Sequence, residues 1–162
     1  MVACGMTIRL AAIVAIALAA TSCGRGDWPE PRLEFYHANT EAQAKAYAYK
    51  EAAAHGWQVN QVAYTGSMRP HINGGEFVLI EPHAGQQFPN GTVLTFYRDA
   101  AAPNVFHMAL DQNQRAVYMS GTANKFSDGW YPKGRINGIC RLVITFPRGA
   151  KTNAEYGAQV SK

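Results

Sequence analysis

Cysteine is scarce: Cys4, Cys23 and Cys140 are the three in the chain. That excludes a disulfide-dense scaffold, and no His or Cys pairs stand at metal-ligand spacing, so neither a metal nor a cofactor is expected. Charge is also sparse, with 16% charged residues and a net charge of +4. Lys and Arg are scattered from Arg9 to Lys162 instead of clustered, which leaves no electrostatic footprint for nucleic acid. No apolar run reaches the roughly 20 residues that a membrane-spanning helix needs. Internal repeats, low-complexity segments and alternating strand and helix patterns are missing too, which argues against solenoids and βαβ folds.

What is present begins with export. Arg9 precedes the apolar run LAAIVAIALAA, and small residues then lead into Cys23. A charged n-region, a run of about a dozen apolar residues and a small-residue exit form a secretory leader, too short for an ordinary membrane span. Ala20-Thr21-Ser22-Cys23 resembles a bacterial lipoprotein box, which implies cleavage before Cys23 and lipidation of that residue; the box more often has Leu where Ala20 stands. A plain cleaved signal and a short signal anchor are the alternatives. All three place the rest of the chain outside the cytoplasm, associated with the membrane through the N-terminal segment or a lipid.

The remaining chain divides into a Gly- and Pro-rich linker over 23–38, one domain over 39–148 and a flexible tail over 149–162. Thr40 to His55 reads as a helix. Thr40 and Gln43 form a capping box, Glu41 and Lys45 an i,i+4 pair, alanines fill the middle and Gly56 follows the end. Strand patterns then occupy 57–64, 77–81, 93–98, 105–110, 116–120 and 141–146, mostly separated by Gly, Pro, Asn or Asp. Strands at this spacing without intervening helices predict a mainly β fold, an antiparallel coiled sheet or barrel with one N-terminal helix. The aromatics Trp57, Tyr64, Phe77, Phe96, Tyr118 and Trp130 are expected to fill its core. Cys140, inside the apolar run GICRLVITF, is expected to be a small buried hydrophobe, not a reactive thiol.

The segment YTGSMRP, Tyr64 to Pro70, sets Ser67 in a turn between two strand patterns, with Gly66 before it and Pro70 fixing the exit. A hydroxyl held at such a turn can face a cleft. Thr65-Gly66-Ser67-Met68-Arg69-Pro70 resembles the Ser-Gly-Ser-Met-x-Pro nucleophile box of type I signal peptidases, and further blocks follow in that family's order. Gly75-Glu76-Phe77-Val78-Leu79-Ile80 is similar to its Gly-Asp-x-Val-Leu-Val strand, and Gly91-Thr92-Val93 to its Gly-Asp-Val turn. His107 falls where bacterial members carry Lys and the endoplasmic-reticulum and archaeal type carries His. GTANKFSD, Gly121 to Asp128, resembles the Gly-Asp-Asn-Asn-x-x-Asp-Asp block of the His type, and Ile136-Asn137-Gly138 its closing Ile-x-Gly. The resemblance covers about half of the chain.

It implies a fold of the signal-peptidase type and a membrane-tethered serine endopeptidase acting on exported proteins or peptides. Ser67 would be the nucleophile, His107 the general base and Asp128 the carboxylate that orients it. The Ser67 backbone N–H and the Thr65 hydroxyl would form the oxyanion hole. The chemistry is coherent: a serine hydroxyl needs a neighbouring base, and neutral imidazole titrates in the useful range. His71, Lys125 and Lys133 are read as surface residues instead of alternative bases. Several departures, Glu76, Thr92 and Thr122 for Asp and Met108 for Arg, leave a second reading open. In it the chain is a catalytically inactive relative that binds extended peptides.

Overall fold

The computed structural model describes residues 28–97, 105–124 and 126–147. The leader, Cys23, Lys125 and the tail from 149 lie outside the described residues. The described chain is mainly β, as the strand patterns predict, with eight strands in one sheet and one α-helix.

The strands are β1 (Glu34–His37), β2 (Gln58–Gln61), β3 (Phe77–Pro82), β4 (Val93–Phe96), β5 (Val105–Gln112), β6 (Ala116–Ser120), β7 (Gly129–Pro132) and β8 (Ile136–Thr145). Their order is β2-β3-β8-β4-β5-β6-β7, so the sheet is open, with β2 and β7 at its ends. Pairing along this path is antiparallel, while β1 adds to β8 in parallel. The long β8 organises the sheet. It pairs with β3 along most of its length, with β4 near its start and with β1 near its end. Register shifts at Leu79/Ile80, Thr95/Phe96 and Ala109/Asp111 act as bulges, which bend strands and increase twist. The sheet therefore coils enough for the connection between β2 and β3 to touch the far end of β6.

The helix α1 (Glu41–His55) forms where the sequence places it. The Thr40 side chain accepts the Gln43 N–H at 3.1 Å, and Gln43 reaches back to the Asn39 N–H at 2.8 Å. The i,i+4 contact between opposite side-chain types on this helix is Glu51–His55, at 3.8 Å, and not the expected Glu41–Lys45. Ala44, Ala48 and Ala52 recur every fourth residue and are all buried, so the helix lies close over Phe77, Leu79 and Ile144. β3 is thus covered on both faces: Phe77 and Leu79 face the helix, while Val78 and Ile80 enter a second core with Met68, Ile72, Phe106 and Met108.

Two expectations change. Residues 34–37, read as linker, form β1, and Trp28 and Leu33 already pack against the second core. Packed structure thus reaches about ten residues before the expected domain boundary at 39, because a strand of four residues gains its stability from pairing with β8, not from its own pattern. Tyr64 and Trp130 are 37% and 50% exposed and do not fill the core, whereas Phe77 and Phe96 do. Trp130 lies on β7, a terminal strand of the sheet, where its ring meets that of Tyr118 at a tilt, with centroids 5.4 Å apart. Cys140 is buried, and burial pushes its thiol pKa far up, as befits a core residue.

Candidate active site

Ser67 is carried by the connection between β2 and β3. Its base is closed by the Val62 N–H to the Glu76 carbonyl at 2.8 Å and the Gly75 N–H to the Val62 carbonyl at 2.6 Å. The buried Glu76 carboxylate braces the loop from inside, accepting the Asn73 backbone N–H at 2.8 Å and its side-chain amide at 3.3 Å. Gly66 has φ +75°, a conformation in which a Cβ would be strained, and this explains glycine before the serine. Met68 then plunges into the core, so the turn is nailed from below and half-buried Ser67 stays at the rim.

Beside Ser67 is a cleft of about 70 Å³. Thr65, Gly66 and Ser67 edge it, and Val62, Met68, Ile72, Val105 and Phe106 give it an apolar floor. Thr65, the second expected oxyanion residue, therefore shares the cleft with the candidate nucleophile Ser67.

The residues of β5 before His107 line that cleft, while His107 itself is 6% exposed and turns toward the Phe96 ring, 5.7 Å away. Its neighbours Phe106 and Met108 enter the opposite core, as strand alternation requires. His107 Nδ1 meets Asp128 Oδ2 directly, so the expected base and its carboxylate are together. Asp128 is held in place by its backbone N–H, which donates to the Met119 carbonyl at 2.8 Å.

Ser67 packs on Gly121, the residue that follows β6. The β5–β6 register pairs Met108 with Ser120, the residue before Gly121. A Cβ at Gly121 would lie 3.0 Å from the Ser67 Cβ and 2.5 Å from its carbonyl oxygen. Ser67 thus occupies the space that a side chain at position 121 would fill. Among the described residues no hydrogen bond joins Ser67 Oγ to His107; such contacts commonly tighten only with substrate bound.

Two residues set aside as alternative bases have other partners. His71 is half-buried and donates its backbone N–H to Met68. Lys133 reaches Gln112 at 3.1 Å and Gln87 at 3.3 Å and lies over the Phe88 ring. No group of metal-ligating residues is found among the described residues. Sequence reasoning missed the Glu76 brace and the apolar cleft floor; a carboxylate in the otherwise apolar stretch GEFVLI was the available signal for the first. Compared with family models, curated proteins and solved structures, the chain matches none.

Proposed function

We propose that the chain is a serine endopeptidase of the signal-peptidase kind, tethered to a membrane outside the cytoplasm by its N-terminal segment or by lipid on Cys23, and that it cleaves exported proteins. The observations that support this reading are the contact between His107 and Asp128 and the Ser67 turn, which packs on Gly121 just after β6 beside an apolar cleft.

With Asp128 accepting the proton on Nδ1, the lone pair of His107 Nε2 is free to take the Ser67 proton. Ser67 Oγ then bonds to the substrate carbonyl carbon, and the resulting oxyanion is stabilised by the Ser67 N–H and the Thr65 hydroxyl. His107 returns the proton to the leaving amine as the C–N bond breaks, and water hydrolyses the ester by the same route. The small apolar floor suits a small apolar side chain before the cut, on a substrate lying extended along the strands.

The test is cleavage of a panel of exported precursor proteins by the purified chain, alongside Ser67→Ala and His107→Ala. Loss of cleavage in both variants, with folding intact, supports the reading. An inactive but folded wild type favours the peptide-binding alternative.

A further inference from the structure

We infer that Thr122 is a positioning residue for Ser67, an inference that rests on the peptidase reading above. The connection between β6 and β7 touches both halves of the candidate site. Its last residue, Asp128, meets His107. Its first three grip the nucleophile turn: Gly121 lies against Ser67, the Ala123 N–H donates to the Ser67 carbonyl at 2.8 Å, and the Thr122 hydroxyl donates to the Arg69 carbonyl at 3.0 Å.

Two of these contacts are backbone and would be offered by almost any sequence. The Thr122 hydroxyl is the side-chain contribution. Ser67 and Arg69 flank Met68, whose side chain is anchored in the core. The turn is therefore held below by Met68 and above by the carbonyls on either side of it. Fixing both carbonyls removes rotation of the peptide units around Met68 and sets the direction of Ser67 Oγ. The loop is internally braced to transmit this: the Asn124 N–H donates to the Gly121 carbonyl at 3.0 Å, and Ser120 Oγ donates to the Phe126 carbonyl at 3.1 Å. One short loop thus sets nucleophile and base relative to each other. The departure from the resembled family becomes intelligible, since an ionised Asp is an acceptor only and could not hold the Arg69 carbonyl as a hydroxyl does.

The test is steady-state kinetics on a precursor that the wild type cleaves, with Thr122→Val, which keeps the shape and removes the hydroxyl, and Thr122→Ser, which restores it. Should the valine variant not fold, Thr122→Ala replaces it. Because misplacing a reacting group by about 1 Å can cost about a hundredfold, kcat is expected to fall roughly ten- to a hundredfold in Thr122→Val with KM nearly unchanged. Thr122→Ser should recover most of that loss. A merely structural role would shift the unfolding midpoint and leave kcat of the folded enzyme alone. Wild-type kcat in Thr122→Val, or no recovery in Thr122→Ser, overturns the inference while the peptidase reading stands. No cleavage by the wild type removes the reading and the inference with it.

Discussion

If the peptidase proposal is right, replacing Gly121 by alanine should displace Ser67 from its proposed base without substituting either residue. The new Cβ would stand 2.5 Å from the Ser67 carbonyl oxygen, 3.0 Å from the Ser67 Cβ and 3.0 Å from Asn124 Nδ2. Asn124 can swing aside, but the Ser67 backbone cannot, because its turn is anchored by Met68 and by the Ala123 N–H. Restoring an ordinary contact of 3.4 Å to the carbonyl oxygen requires the turn to retreat by about 0.9 Å. Overpacking of this kind costs about 1–3 kcal/mol of stability. A displacement near 1 Å at a reacting atom is worth about a hundredfold in rate. The assay is the initial rate of precursor cleavage beside a thermal unfolding curve. Gly134→Ala is the control, since nothing lies within 4 Å of its Cβ position. A Gly121→Ala enzyme with wild-type turnover would refute the placement of Ser67 against the strand end.

Other perturbations have equally definite outcomes. Asp128→Asn keeps the shape of the side chain but no longer fixes the His107 tautomer; by analogy with other Ser-His enzymes turnover should fall by up to about 10⁴-fold, read from kcat with the fold checked by circular dichroism. His83 is held below its ordinary pKa of 6.5 by burial and then by Lys133. The unfolded chain therefore binds the proton more readily, and the stability this histidine contributes is present above pH about 6.5 and is lost as pH falls toward its lowered folded value. Denaturant titrations between neutral and mildly acidic pH should show a shallower acid loss for His83→Gln than for the wild type, and equal slopes would contradict the assignment. Thr40→Ala removes the helix cap and should cost about 1 kcal/mol in the same titrations, with cleavage unaffected, since α1 packs away from the cleft.

The parts of the fold legible in the sequence are those whose signals are local. Thr40, Gln43, the alanines and Gly56 specify a helix by themselves, and FVLIEP reads as a buried strand because its apolar run is unbroken. EFYH and GWYP carry no such signal; β1 and β7 exist because β8 and β6 offer them partners far along the chain. β8 begins at Ile136 and not at Arg141 because residues 136–140 serve β4 and the end of β3, contacts that no window of sequence displays. The site divides the same way. Ser67 stands out by its turn chemistry, whereas the closeness of Gly121 to Ser67 and the hold of Thr122 on Arg69 depend on the coiling of the whole sheet. Trp130 stays out of the core against expectation because aromatic character does not reveal that its strand ends the sheet.

The account stands or falls on Ser67 as a nucleophile. Its most direct test is to quench the full-length chain with acid during turnover of an exported precursor and map the mass of every peptide of the enzyme. An ester between the substrate's new carboxyl end and the peptide containing Ser67, absent in Ser67→Ala and accumulating before product, is the predicted result. Product formation with no adduct on Ser67, or an adduct on another residue, would contradict it.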